Sequence, residues 1–334
     1  MPHTASRHLK RWCTLAPVTV LVTGGGGFIG SHLVERLLSD GHEVRVLDNF
    51  ATGTRENLLE WADQVKLVEG DMRSYERVHT AVRGCELVLH QAALPSVPRS
   101  VQDPLTSSEV NITGTLNVLL AARDEGVHRV VFASSSSIYG ANPELPKRED
   151  LLPLPMSPYA VAKLAGEGYC RSFHEVFGIE TVALRYFNVF GPRQDPLSQY
   201  AAVIPNFITA LLAGEQPVVY GDGEQSRDFT YVENVVEANL LAMSADGVAG
   251  KLFNVAAGQR TTLNQLLDHL GALIGRDPGA RYDLARPGDV RHSQADIGRT
   301  RRELGYSPGI SLEEGLRRTL AWYAGRAPAA LPAG

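Results

Sequence analysis

The chain has 334 residues, 44% hydrophobic and 21% charged, with a net charge of −5. That length allows one large domain or two interlocked ones, and the net negative charge gives no general reason to seek nucleic acid or membranes. No run approaches the roughly 18 apolar residues of a membrane helix, and the three cysteines, Cys13, Cys85 and Cys170, have no metal-type spacing. No metal is expected, Cys85 and Cys170 are expected as small core residues, and so sparse and odd a count suits a reducing cytosol.

Residues 1–16, "MPHTASRHLKRWCTLA", are basic but lack a continuous apolar stretch, so a poorly ordered leader is expected rather than a secretory signal. Val18–Thr23 is a short β-branched run, expected as a buried strand. Glycines follow, and then Ile29, Leu33, Val34, Leu37 and Leu38 fall at helical spacing before Gly41 ends the helix. Glu43–Asp48 reads as the second strand. The alternation continues through the strand "VKLVEGD", the helix "SYERVHTAVRG" and the strand "ELVLHQAA". Next come the long helix "SSEVNITGTLNVLLAARDEG", the strand "HRVVFAS", the helix "PYAVAKLAGEGYCRSFHEVFG" and the strand "IETVALRYFN".

Such alternation predicts a parallel sheet covered on both faces by right-handed crossovers. Ligands then bind beyond the carboxyl ends of the strands. After about Asn188 the pattern fades into Gly- and Pro-rich connections, which suggest a smaller, loop-rich second region. Lys251–Gly258 reads as one further strand returning to the main sheet. The expected division is 17–187 plus about 229–257 for the first region, and 188–228 plus about 258–330 for the second.

Gly24, Gly27 and Gly30 stand in a G-x-x-G-x-x-G spacing between a strand and a helix. Glycines there let the backbone approach a pyrophosphate, and the helix start supplies free N–H groups. Asp48, at the end of the second strand, is placed to accept from ribose hydroxyls and to repel a 2′-phosphate. NAD is therefore expected over NADP. Arg55 could clamp a phosphate, but a solvated loop arginine is the preferred reading. Asp71 is placed for the adenine side, and "HQAA" (His90–Ala93) ends a strand with small residues where the cofactor should lie. His90 is read as a satisfied strand-end histidine. The fold expected is α/β, a Rossmann-type doubly wound parallel sheet with a smaller mixed C-terminal substrate domain.

"VVFASSSSIYG" (Val130–Gly140) puts four serines at a strand end, and "SPYAVAK" follows with Tyr159 and Lys163 four apart on one helix face. A phenol flanked by an ammonium is a workable general base, because the positive charge favours the phenolate and lowers the tyrosine pKa. A serine hydroxyl opposite can bond a substrate oxygen and shuttle its proton.

Together these elements resemble the nucleotide-sugar 4-epimerases of the extended short-chain dehydrogenase/reductase family, from about Pro17 to Tyr323. The resemblance implies Tyr159 as catalytic base, Lys163 on the nicotinamide ribose, and Ser135 as the paired hydroxyl, with Ser136 an adjacent candidate. It implies an NAD-binding set of Gly24, Gly27, Phe28, Ile29, Gly30, Asp48, Asn49, Asp71, Met72, Gln91, Ala92, Ala93, Tyr159, Lys163 and Tyr186. Asn111 resembles a buried asparagine that bonds a helix to a loop. The family's dehydratases carry an acid pair, and its UDP-glucuronate decarboxylases a glutamate, where this chain has Ser136 and Ser137. The acid for elimination is missing, and hydride removal and return need only the base and the hydroxyl.

The resemblance extends to a sugar-nucleotide pocket. It implies Asn188 on the diphosphate or the sugar, Arg227 and Arg286 near the diphosphate, Asp289 on a ribose, Val203, Ile204 and Tyr220 near the uracil, and Ser293 facing the sugar C2 substituent. A small residue at that last position resembles family members that admit N-acetylated sugars. UDP-GlcNAc/UDP-GalNAc is the expected substrate pair, with UDP-Glc/UDP-Gal also accepted. A UDP-glucuronate 4-epimerase, with Arg193 as the carboxylate's cation, is the nearest rival, and a non-catalytic NAD sensor or scaffold is a rival of another class. The helices Ser107–Glu125 and Pro158–Phe177 resemble a family dimer interface, although Leu116, Leu119 and Leu120 could equally pack on the sheet. A cytoplasmic homodimer, with no nucleic-acid or membrane partner, is expected.

Overall fold

Strand β1 (Thr19–Thr23) alternates its side chains between two apolar layers: Val20 and Val22 enter one, Leu21 the other. A strand buried on both faces needs that unbroken apolar run. The computed structural model describes residues 17–196, 202–285 and 290–326, so the leader 1–16, Arg286 and Asp289 lie outside the described residues. Within them β2 (Glu43–Asp48), β3 (Val65–Glu69), β4 (Leu87–His90), β5 (Arg129–Ser135) and β6 (Glu180–Tyr186) join β1 in one parallel sheet. The strand Lys251–Val255 adds to it beside β6. Its order is Lys251–Val255, β6, β5, β4, β1, β2, β3. The order reverses between β1 and β4, which opens a crevice at their carboxyl ends.

The long helix foreseen over "SSEVNITGTLNVLLAARDEG" is interrupted. Pro104–Ser108 and Gly114–Asp124 are α-helical, and Glu109–Thr113 between them is a wider π turn. Gly114 admits Met72 at close range: a Cβ there would lie 2.5 Å from the Met72 methyl. Asn111, buried in the π turn, accepts from Leu94 N at 2.8 Å and donates to Leu94 O at 3.2 Å. Such bulges often serve sites, and this one fixes the loop after β4 that walls the crevice. Leu119 is fully buried, with Leu116 and Leu120 packed beside it, so these leucines belong to the core.

Beyond β6 a separate apolar core forms around Phe190, Phe207, Phe229, Leu266 and Leu316. It is built by the helices Val203–Leu212, Leu263–Ile274 and Leu312–Ala324. The helix Val232–Ser244 instead sends Val235, Val236 and Leu240 into the sheet's own core. A small cluster of Ile138, Tyr139, Phe187, Ala256 and Ala295 sits between the strand ends and the later loops. Among the described residues no helix is long and apolar enough to cross a membrane.

Candidate active site

The turn after β1 is shaped by backbone against backbone. Gly24 has φ +71°, and a Cβ there would lie 2.8 Å from the Ala92 backbone. A Cβ on Gly30 would lie 2.1 Å from Gly24 O. Only glycines let the helix Phe28–Ser39 start so close to the turn. Its N-cap, Gly27, offers no side-chain acceptor, so the first amides meet the cleft uncapped. At the end of β2, Asp48 Oδ2 accepts from Gly26 N at 2.8 Å and Oδ1 from Phe50 N at 2.7 Å. Burial pushes its carboxyl above the usual range, against those amide bonds. A cradle that any Cβ would fill, an uncapped helix start and an acid one strand away fit a dinucleotide's pyrophosphate and ribose.

Asn49 Nδ2 donates to Asp71 Oδ2 at 3.1 Å, and Arg73 holds the Asp71 carboxyl below its ordinary range. Met72, Gln91, Ala92, Ala93 and Tyr186 line the same cleft, which has a volume of about 1340 Å³. Gln91 Nε2 and Tyr186 Oη are bonded at 3.1 Å. Arg55 is exposed and paired with Glu69 at 2.5 Å. His90 is buried between Thr23 Oγ1 at 2.8 Å and Thr115 Oγ1 at 3.0 Å, and burial pushes it down to about 3, so it stays neutral.

Pro158–Phe177 forms one helix because Ser157 caps it, accepting from Ala160 N at 3.2 Å, Pro158 opens its first turn, and Gly178 ends it at φ +73°. Tyr159 and Lys163 stand on its cleft side. The Ser135 hydroxyl favours the ionised form of Tyr159. Its Oγ also accepts from Ser137 N at 3.2 Å, which anchors the turn after β5. Ser136 lines the cleft one residue on.

The pKa expectation for Tyr159 needs correction. Burial pushes Tyr159 up to about 12, and the Ser135 bond offsets only part of that. Lys163 Nζ is committed to Ala133 O at 2.7 Å and lies 5.9 Å from the Tyr159 ring centre. Burial also lowers Lys163 to about 8. Desolvation thus outweighs the ammonium's pull on the phenol.

The model of the family described as "NAD dependent epimerase/dehydratase" matches residues 20–256. The chain belongs to that family. The UDP-N-acetylglucosamine 4-epimerase of Methanobrevibacter ruminantium, solved with UDP-N-acetylmuramic acid, is 42% identical. It has a TM-score of 0.89, covering 93% of this chain and 100% of that one. The UDP-glucose 4-epimerase of Thermus thermophilus, solved with NAD, is 40% identical with a TM-score of 0.84, over 92% and 99% of the two chains. The UDP-glucose 4-epimerase of Mycolicibacterium smegmatis is 39% identical over 91% of this chain and 97% of its own. This epimerase-family chain is an enzyme, and NAD is its cofactor.

In this epimerase-family enzyme the remaining predicted residues fall on both sides of the cleft wall. Asn188, Arg227 and Ser293 line it. Asn188 has φ +32°, a region asparagine tolerates better than most residues, and its Nδ2 donates to Asp228 O at 3.4 Å. Ser293 N donates to Ser226 O at 3.0 Å, which ties its backbone to the short strand Ser226–Arg227. Ile204 is a correction: it is 1% exposed and packs in the second core, with Val203 against that core. Among the described residues of that helix start, the preceding Ala202 reaches the cleft lining, and Val203 and Ile204 do not. Tyr220 ends a short strand at the surface and is 37% exposed. Arg193 is also a correction. It is ion-paired to Glu35 and stacked 5.2 Å over Trp61, so it is not offered to a sugar carboxylate.

The sequence reasoning missed Ser96 and Arg99, at the start of the short helix Val97–Gln102, and Gln194 on a loop, all of which line the cleft. It also missed Ser134, Glu167 and Arg185, a buried group behind it. Glu167 follows Lys163 by four residues, and that spacing was the available signal.

Proposed function

We propose that this enzyme is a UDP-sugar 4-epimerase acting on UDP-GlcNAc/UDP-GalNAc and also on UDP-Glc/UDP-Gal. One observation carries the reading. Tyr159 and Ser135 line one cleft, and Ser136 and Ser137 follow where eliminating relatives hold acids. Bound NAD supplies a reversible hydride acceptor for the sugar C4. Tyr159, acting as its phenolate, which Ser135 and the positive charge of bound oxidised NAD would favour against burial, takes the 4-hydroxyl proton, and Ser135 bonds the same oxygen and relays the proton. Lys163, one helix turn on, holds the nicotinamide ribose. With no acid beside C5, the 4-keto sugar is not drawn into elimination; it turns over, C4 takes the hydride back on its other face, and the C4 oxygen takes back the proton from Tyr159.

Arg227 from the cleft wall, with Arg286 and Asn188, holds the diphosphate, and Asp289 a ribose. The uracil lies towards Ala202 and Tyr220. Ser293 leaves room for an N-acetyl group at C2. The two regions, 17–187 with 229–257 and 188–228 with 258–330, carry NAD and the UDP-sugar respectively. The exposed apolar side chains Val101, Leu105, Met156 and Val161 cover a homodimer interface.

The test is incubation with UDP-GlcNAc, UDP-Glc and UDP-glucuronate separately, without added cofactor. Turnover of the first two is expected; turnover of UDP-glucuronate alone would overturn the substrate reading. Tyr159→Phe should lower kcat by about 10²- to 10⁴-fold and leave UDP affinity within about twofold.

A further inference from the structure

Glu167 lies two turns beyond Tyr159 and one beyond Lys163 on the same helix, and it is 7% exposed. Its Oε1 accepts from Ser134 Oγ at 2.5 Å and from Arg185 Nε at 2.8 Å, and its Oε2 accepts from Arg185 Nη2 at 2.8 Å. Ser134 and Arg185 are register partners on β5 and β6, and each is almost fully buried. Arg185 Nη1 donates to Tyr139 Oη at 2.8 Å, and Tyr139 donates in turn to Asn254 Oδ1 at 2.7 Å. One carboxylate therefore ties the helix of Tyr159 and Lys163 to β5, one residue before Ser135, and to β6.

A buried ion pair is weak evidence of stabilisation, since apolar side chains of similar volume often serve as well. What apolar packing cannot supply is the direction that a bidentate arginine and a third donor impose. Glu167 also carries the negative charge nearest Lys163 on that helix. The other groups facing Lys163 are Tyr159 and the Cys170 thiol on its own helix, the neutral His90 on β4, and the Phe132 ring and Ala133 carbonyl on β5.

We infer that Glu167, clamped by Arg185, is a positioning residue that sets the Ser135–Tyr159 separation and supports the charged form of Lys163. This rests on the reading of Tyr159 and Ser135 as the proton-transfer pair.

The test uses the full-length enzyme in three variants, Glu167→Gln, the double variant Glu167→Met/Arg185→Met, and Tyr159→Phe. Glu167→Gln should lower kcat about 10- to 100-fold, with KM for the UDP-sugar nearly unchanged, as a small misplacement would. The alkaline limb of its kcat–pH profile should move to lower pH, because Lys163 loses a supporting charge. Glu167→Gln leaves a buried guanidinium poorly paired and is the variant at risk of misfolding. The double variant removes both charges and should melt near the parent temperature, yet its kcat should stay low. If kcat returns with stability in the double variant, or the alkaline limb of Glu167→Gln does not move, the inference is overturned. If Tyr159→Phe remains active, the underlying proton-transfer reading fails; if it is dead while the double variant is active, only the clamp fails.

Discussion

At the dinucleotide end of the cleft, shape is set by backbone against backbone; at the sugar end it is set by side chains on short strands and turns. The first end consists of regular elements, with Gly24, Gly27 and Gly30 wedged between β1 and a helix. The second is held by side-chain bonds such as Ser226 Oγ with His292 Nδ1 and Asn188 Nδ2 to Asp228 O. Backbone contacts leave no slack, since a single added methyl meets a carbonyl. Side-chain contacts can be exchanged one at a time. A tightly specified cofactor end beside an adjustable sugar end suits an enzyme that keeps one cofactor while relatives differ in sugar.

Among variants that separate the two ends, the largest effect should come from Gly30→Ala, whose Cβ would sit 2.1 Å from Gly24 O. Turnover should fall about 100-fold or more, and the purified protein should lack bound NAD, read by absorbance after denaturation. Retained NAD would break the claim that this end has no slack.

Arg227→Ala should act at the other end alone. Its KM for UDP-sugar should rise about 10- to 100-fold through loss of a charged contact to the diphosphate. NAD content should stay at the parent level, and a joint loss of both would blur the division. Ser293→Tyr should be milder still. It should reduce turnover of UDP-GlcNAc about tenfold relative to UDP-Glc, through pocket volume; an unchanged ratio in a competition assay would remove Ser293 from the specificity wall.

The smallest effect concerns Lys163, which joins the two ends. Burial lowers it from 10.5 to about 8. Between those values the unfolded chain binds more protons than the folded one, so this group's contribution to stability rises with pH across that window. Thermal melts from pH 7.5 to 10 should show the parent gaining on Lys163→Met. A flat difference would mean that the lysine keeps its charge when buried.

Most of the fold was legible because each strand–helix unit announces itself over a short span. The glycine turn, the acid ending β2, and the Tyr159–Lys163 spacing all rest on local periodicity. The sugar end was less legible. Ile204 and Arg193 belong to segments whose apolar and basic residues suited a ligand pocket, but one faces its own core and the other pairs with Glu35. Neither orientation follows from neighbours in the chain.

The run of four serines marks where the two sources of information part. By itself the sequence determined that hydroxyls, and no acid, stand at the end of β5 before a tyrosine helix, because composition and spacing are local. Only the tertiary structure decided which way Ser134 and Ser135 face. A strand sends alternate side chains to opposite sides, so Ser134 turns inward to Glu167 while Ser135 turns out to Tyr159. The sign of the Tyr159 shift was likewise decided by burial among elements distant in the chain, whose desolvation outweighs the nearby charge.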